Sequence, residues 1–309
     1  ASQLLQPHRL RPPDLGDPAM AFDTASVLAA FREVVGQANV LTEGDLSAYT
    51  HDWRKRAQGK ALAVIRPANV TEVAAVVRIC AANTIAIVPQ GGNTGLVVGS
   101  VPDASGTQVV LNMGRMNRIR AIDPDNLTIT VEAGCILQTV QAAAAAAGFY
   151  FPLSLAAEGS CTIGGNLGTN AGGTQVLRFG NARELCLGLE AVTAEGEVWD
   201  GLSGLRKDNT GYDWKNLFIG AEGTLGIITG AVLKLYPTPR SYGTAMVALR
   251  DLDASVELLS MLRERSGDAV TTFELIPRLA MELACRHFDG VKDPLDQPYD
   301  WYALMELSC

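Results

Sequence analysis

From Glu158 to Gly173 the chain reads Glu-Gly-Ser-Cys-Thr-Ile-Gly-Gly-Asn-Leu-Gly-Thr-Asn-Ala-Gly-Gly, and this stretch constrains the fold most. Six of the fifteen residues from Gly159 to Gly173 are glycine, whereas the whole chain holds 31 in 309. Glycine reaches positive φ and has no Cβ, so such a run lets successive N–H groups converge on an anion and lets a flat ligand approach the main chain. A flexible linker would be rich in serine and charge and would not carry Ile163, Leu167 and Ala171 at packing intervals. A second run, Pro89-Gln-Gly-Gly-Asn-Thr-Gly95, has the same chemistry. Alone it reads equally as a hairpin or tight turn. Together, two separated phosphate-cradling loops imply one long, phosphorylated cofactor. Neither run matches Gly-x-Gly-x-x-Gly opening a helix or the Lys-Ser/Thr ending of a P-loop, which weakens the nicotinamide and ATP readings.

Composition narrows the function classes. A formal charge of −8 argues against a nucleic-acid surface, which needs clustered cations. Arg9, Arg11 and the Arg54-Lys55-Arg56 triplet read as solvated faces. One or two buried arginines would still suffice for an anionic substrate. Six cysteines, at 80, 135, 161, 186, 285 and 309, form no Cys-x-x-Cys pair and read as free thiols in a reducing compartment. Only His8, His51 and His287 are present, too few for a histidine-rich metal site, and no metal ligand is assigned. The alanine-rich run 142–157 contains Gly148 and Pro152 and is too weak for a membrane helix. Residues 1–19 carry four prolines and no continuous apolar stretch, so residues 1–22 read as a flexible tail rather than a secretory signal. Cytoplasm or an organelle matrix is the expected location.

The pattern along the chain predicts a helix over 24–35, a strand over 61–66 stopped by Pro67, and a helix over 72–82 capped by Thr71 with Val73, Val76, Val77 and Cys80 on one face. A strand over 85–89 then delivers the first glycine run, and 109–112 extends that sheet. A second lobe opens with a strand over 128–133 and a helix over 136–147 ended by Gly148. Phe149, Tyr150 and Phe151 read as core packing rather than a cofactor contact. A hairpin over 185–193 and 197–202 and a strand over 227–236 follow, and Pro237 and Pro239 mark a boundary. Beyond it, a strand over 244–249, helices over 253–265 and 275–286 and a strand over 302–307 read as the opening of a β-α-β unit.

Four segments, in order, carry a family resemblance: Pro89-Gln-Gly-Gly-Asn-Thr-Gly-Leu96, the run from Gly159 to Gly173, Arg206-Lys-Asp-Asn-Thr-Gly-Tyr-Asp213, and Phe218-Ile-Gly-Ala-Glu-Gly-Thr-Leu-Gly-Ile-Ile228. Together they resemble the FAD-linked oxidase family with the vanillyl-alcohol-oxidase-type (PCMH-type) flavin fold, nearest to the D-2-hydroxyacid dehydrogenases of D-lactate and D-2-hydroxyglutarate. The resemblance implies an α+β chain with a two-lobed FAD-binding domain over 23–240, its lobes about 23–118 and 119–240. The start of a substrate-binding cap, incomplete at 241–309, would follow.

It further implies FAD between the lobes. The pyrophosphate would lie against Gly91, Gly92, Asn93, Thr94 and Gly95 and against Ser160 to Asn166, and Pro89, Gln90, Leu96, Gly159, Gly164, Gly165, Gly172 and Gly173 would shape the loops. Asn166, Thr169 and Asn170 would offer amide or hydroxyl groups to phosphate and ribityl oxygens. Glu222, Gly223, Ile227 and Ile228 would sit near the flavin ring or ribityl chain. Alternatively, Glu222 is a surface acid paired with Lys215. Attachment would be non-covalent, because the first loop lacks the histidine that covalent members use. The implied reaction carries hydride from a D-2-hydroxy acid to flavin, with a quinone or electron-transfer protein as acceptor. Homo-oligomers fit this reading. Catalytic residues stay unassigned, since the family places them later in the cap. One departure stands out: Val98 occupies a site before Gly99 where the family keeps glycine. Two other readings stay open, a flavin-binding subunit completed by a partner chain and a fold that binds no flavin.

Overall fold

The computed structural model describes residues 22–309, so nearly all of the expected N-terminal tail lies outside the described residues. The first module holds α1 (Thr24–Val35), β1 (Val40–Leu41), α2 (Ser47–Thr50), β2 (Ala61–Ile65), α3 (Val70–Ala82), β3 (Ile87–Gln90) and β4 (Gln108–Asn112). Its sheet runs β1-β2-β4-β3, with β2, β4 and β3 parallel. Helix α1 buries Val27, Phe31 and Val35, one stripe at four-residue spacing, and α3 buries Val73, Val76, Val77 and Cys80 as expected. Asn69, not Thr71, caps α3. Its side chain accepts the Glu72 N–H at 2.9 Å, while the Glu72 carboxylate accepts from the Ala68 N–H at 2.7 Å and from Asn69 Nδ2 at 2.9 Å. This reciprocal bonding starts the helix two residues earlier and leaves Thr71 inside it.

The second module comprises β5 (Ile119–Asp123), β6 (Thr128–Glu132), α4 (Leu137–Ala146), β7 (Phe149–Tyr150), α5 (Ile163–Gly168), α6 (Val176–Phe179), β8 (Cys186–Val192), β9 (Val198–Gly201), α7 (Lys215–Phe218), β10 (Ile227–Lys234) and β11 (Tyr236–Pro237). An antiparallel sheet of order β5-β6-β10-β8-β9 packs Ile129, Val131, Leu189, Ala231 and Leu233 against Leu137, Val140, Ile163 and Leu167. Strand β7 pairs with β11, and Phe151 is buried, so the aromatic triplet packs as expected. The long glycine stretch is not one loop, because α5 forms inside it around three glycines. Gly165 is helical rather than at positive φ. Within the stretch, Asn170 (φ 49°) and Gly173 (φ 96°) take the left-handed conformation. The modules meet where Val192 and Ile227 of the second enter the core of the first, and Arg78 donates to the Gly196 carbonyl at 2.7 Å.

The third sheet is formed by β12 (Tyr242–Leu249), β13 (Val270–Pro277) and β14 (Trp301–Ser308), with α8 (Leu252–Ser266) and α9 (Arg278–His287) between them. The helix expected over 275–286 is displaced. Residues 270–277 are a strand rich in β-branched residues, and Pro277 stands immediately before α9, since proline cannot sit in a helix interior. The order is β12-β14-β13, all antiparallel. Strand β14 is paired on both sides and Tyr302 is fully buried, so the edges of this sheet are β12 and β13.

Candidate flavin site

The ends of β3 and β4 in the first module face the ends of β6 and β10 in the second. Between them, beside α5, lies a cavity of about 180 Å³. Strand β3 delivers Pro89 and Gln90 and the loop beyond them. Strand β10 opens with Ile227 and Ile228, preceded by a turn at Glu222 (φ 52°) and Gly223 (φ 81°). Close approach accounts for specific glycines here. A Cβ on Gly92 would overlap the Ser160 carbonyl, one on Gly91 the Thr162 hydroxyl, and one on Gly223 the Pro89 ring. At Gly164 a Cβ would lie 2.7 Å from Ala133 Cβ.

Of the residues expected here, Pro89, Gln90, Gly91, Gly92, Asn93, Thr94, Gly95, Gly164, Gly165, Asn166, Thr169, Glu222, Gly223, Ile227 and Ile228 line the cavity. Leu96, Gly159, Ser160, Asn170, Gly172 and Gly173 do not. Leu96 is half exposed, Asn170 Oδ1 accepts the Arg183 N–H at 3.0 Å, and Gly173 packs against the Ser154 carbonyl. Cys161 and Thr162, inside the run Ser160 to Asn166 expected against the pyrophosphate, line it as well, and so do Val97, Gly99, Ser100, Met113, Ala133, Gly168 and Gly226, which the sequence reading did not single out. The alternative pairing of Glu222 is not made, because Lys215 binds Asp213 at 2.9 Å.

The side chains divide into those spent on the scaffold and those left free. Gln90 Nε2 donates to the Tyr49 carbonyl at 2.9 Å and the Ser100 carbonyl at 2.8 Å. Asn93 Nδ2 donates to the carbonyls of Ala48 (3.1 Å) and His51 (2.8 Å), and Ser100 Oγ donates to Asn93 Oδ1 at 2.8 Å. Both amides thus pin the loop to α2. Thr169 Oγ1 donates back to the Gly165 carbonyl at 2.9 Å. By contrast, Thr162 Oγ1 and Asn166 Nδ2 are buried without a partner, and each residue is 5% exposed. The N–H groups of Gly92, Asn93, Thr94, Gly95 and Gly165 find no acceptor among the described residues. A buried polar group left unpaired costs about 1–3 kcal/mol, so Thr162 Oγ1 and Asn166 Nδ2 mark the seat of a ligand, and the exposed or half-buried N–H groups of the loop and of Gly165 stand open beside them.

The lining is electrostatically spare, with no lysine, arginine or histidine among its residues. Its titratable groups are Glu222 and Cys161, and burial pushes the Cys161 thiol above its usual range. Charge lies behind it instead. Glu132 and Glu190 are buried beside Arg120, which reaches Glu190 at 3.0 Å and Glu132 at 3.5 Å. Arg118 binds Glu132 at 2.8 Å, and Thr229 Oγ1 donates to Glu190 at 2.8 Å. Burial alone would raise the Glu132 carboxyl, but the hydrogen bonds and charges of Arg118, with the charge of Arg120, outweigh it and hold the group below the ordinary range. Val98, in the loop, has φ 69°, a conformation that a β-branched residue rarely adopts.

Residues 61–201 match the FAD binding domain family. The chain thus carries an FAD binding domain over these residues. It is 41% identical over 279 residues to a mitochondrial D-2-hydroxyglutarate dehydrogenase of Arabidopsis thaliana, covering 90% of the chain and 50% of that protein. A putative mitochondrial D-lactate dehydrogenase of Schizosaccharomyces pombe is 36% identical over 300 residues, covering 94% and 56%. The fold is shared with p-cresol methylhydroxylase, at a TM-score of 0.70 and 22% identity over 92% of the chain and 60% of that structure. The chain spans about half the length of the curated relatives it matches. All six cysteines of this flavin-binding chain are free, four of them buried, and no cluster among the described residues could hold a metal. No described helix is long and apolar enough to cross a membrane.

The cavity fits FAD on its own chemistry. Its unpartnered groups can each donate to a pyrophosphate oxygen, and its glycines leave the backbone open to close approach. Met113, Ile227 and Ile228 supply apolar wall.

Proposed function

We propose that this chain is the cofactor-holding part of an FAD-dependent dehydrogenase that oxidises a D-2-hydroxy acid of the D-2-hydroxyglutarate or D-lactate type to the 2-oxo acid. The observation that carries the cofactor part is the pair of buried, unpartnered groups Thr162 Oγ1 and Asn166 Nδ2 beside the free N–H groups of the Gly92–Gly95 loop, between two modules; the substrate class rests on the relatives. In this reading FAD lies along the residues that line the cavity, residues 23–240 are the flavin domain, and residues 241–309 begin a cap. Bound FAD supplies the acceptor for the hydride. The protein's own task is positional. The loop from Gly91 to Gly95, pinned by Gln90 and Asn93, and the Thr162–Asn166 segment hold the phosphates, while Met113, Ile227 and Ile228 exclude water from the apolar face. The reading includes a quinone or an electron-transfer protein as the final electron acceptor, in a mitochondrial compartment like that named for the relatives.

The lining also favours a division of labour. It presents no cation to a substrate carboxylate, and its buried thiol is held protonated. The groups that grip the substrate and take its hydroxyl proton therefore come from outside this cavity, in the cap or on a partner chain. Two measurements test the proposal. Acid precipitation should release the yellow colour, consistent with a non-covalent flavin; colour retained in the washed pellet refutes this. Anaerobic mixing of this flavin-loaded chain with D-2-hydroxyglutarate or D-lactate should bleach the flavin only very slowly. Rapid bleaching would show that the 309 residues hold a complete site and overturn the division of labour.

A further inference from the structure

Strand β10 does not alternate regularly. Ala231 and Leu233 face the core of the second module, and unbroken alternation would turn Thr229 and Ile227 toward it too. Instead Ile228 enters that core, and Ile227 enters the core of the first module. The cause is a β-bulge. Ile228 pairs with Ala191 of β8 and Gly230 with the adjacent Glu190, which leaves Thr229 as the extra residue. A one-residue slip reverses the side chains beyond it, so this bulge decides which core each isoleucine of the cavity wall enters.

Thr229 is fully buried and fixed on both sides. Its hydroxyl donates to Glu190 at 2.8 Å, and its carbonyl accepts the Ala133 N–H at 3.0 Å. Arg120 grips Glu190 in turn with both terminal nitrogens, at 3.0 and 3.2 Å. Arg120 is itself the extra residue of a second bulge, where Ile119 pairs with Val131 and Ala121 with Thr130 of β6. Its guanidinium crosses β6 and lies over Gly230, where a Cβ would stand 3.2 Å from Nη1. The glycine leaves room for one cation to bind carboxylates from the strands on either side of β10. Burying carboxylates is costly unless each is paired, and this assembly stands directly behind Ala133, Ile227 and Ile228 of the cavity wall. We propose that Arg120 and Glu190 are positioning residues for the cofactor: they lock the Thr229 bulge, and the bulge seats Ile227 and Ile228 in the wall that the flavin meets. Arg120, Glu190 and Thr229 do not line the cavity, so their effect on a ligand passes through the residues that do.

This inference rests on the FAD reading, and the test separates the two. A bond that served stability alone would weaken flavin-free and flavin-loaded protein equally and leave the Kd unchanged. A bond that positions the wall loosens the flavin-free form, and binding must then restore the bulge. Wild type, Thr229→Val and Thr229→Ser are stripped of flavin, compared by amide hydrogen exchange, and titrated with FAD by fluorescence quenching. Thr229→Val keeps the volume and removes the donor, whereas Thr229→Ser keeps the donor. Expected for Thr229→Val are faster exchange at the Ala133 N–H, slowed again by bound FAD, and an FAD Kd raised about tenfold, as when the bulged form falls to roughly a tenth of the population. Thr229→Ser should match wild type in both. Glu190→Gln, which keeps an acceptor oxygen but loses the ion pair with Arg120, should move both readouts in the direction of Thr229→Val, and it decides the question if Thr229→Val does not fold. An unchanged FAD Kd or wild-type Ala133 exchange in either variant overturns the positioning role. A loss in Thr229→Ser equal to that in Thr229→Val overturns the hydroxyl as its agent. Wild type that binds no FAD overturns the FAD reading itself, while the exchange comparison still judges the bulge.

Discussion

Gly164 and Gly165 are adjacent in the first turn of α5, yet alanine at the two positions should have opposite consequences. At Gly164 the added Cβ lies 2.7 Å from Ala133 Cβ, against the 3.4 Å of an ordinary contact, so α5 and the end of β6 must separate by several tenths of an ångström. Overpacking of this kind costs about 1–3 kcal/mol. Alanine's advantage over glycine in a helix returns about 1 kcal/mol, leaving a net loss near 1 kcal/mol. At Gly165 the nearest atom to the new Cβ is Thr162 Oγ1 at 3.6 Å, which is ordinary contact, so the helical gain of about 1 kcal/mol remains. That methyl group, however, enters the cavity face among the free donors. In urea unfolding of the flavin-free proteins, the stability order should be Gly165→Ala, wild type, Gly164→Ala, with roughly 2 kcal/mol between the extremes. In FAD titrations Gly165→Ala should lose more than tenfold in affinity. A reversed stability order, or Gly165→Ala binding FAD like wild type, refutes the placement of these two glycines.

Arg120→Met should destabilise the fold by about 2–3 kcal/mol in urea, below the 3–5 kcal/mol typical of a broken buried pair, because Glu132 keeps Arg118 and Glu190 keeps Thr229. Adding Glu190→Gln should recover most of the loss, and a double variant no better than the single would refute the coupling. Asp52 accepts the N–H groups of Ala57, Arg56 and Arg54, and its carboxyl is held below the ordinary range chiefly by the Ala57 bond. A depressed folded-state value contributes stability at neutral pH that starts to fade near the unfolded value of about 3.9 and is lost as pH falls through the lower folded value. Asp52→Asn should flatten the acid limb of a stability–pH curve, and an unchanged limb counts against it. FAD affinity should hardly change with salt, since no cation lines the cavity to release counterions; a log–log slope near one would contradict the neutral-donor account.

Much of this architecture could be read from periodicity. The stripes of α1 and α3, the hairpin of β8 and β9 and the strand β10 follow from which side chains must be buried together. What escaped depended on neighbours distant in sequence. Strand β13 reads locally like the start of a helix until pairing with β14 fixes it, and Pro277 alone hinted at the true boundary. The site was legible as chemistry but not as geometry: glycines and amides announced a ligand, whereas only the packing shows that Gln90 and Asn93 spend their amides on α2 while Thr162 keeps its hydroxyl free. Ala133 and Met113 carry no motif at all and enter the lining because their strands end there.

The strand order β12-β14-β13 has a consequence during synthesis. Every strand that borders the flavin cavity has left the ribosome by Lys234, the last residue of β10, so the cofactor-holding modules can close, and can recruit FAD, on a nascent chain. The third sheet cannot grow in this stepwise manner. Strands β12 and β13 emerge early but do not touch, and the gap between them waits for residues 301–308. In the interval both present bare edges, the state most exposed to mispairing with another nascent chain. Translation speed over the segment from 250 to 300 should therefore govern the yield of properly assembled protein while leaving flavin capture by the earlier modules untouched.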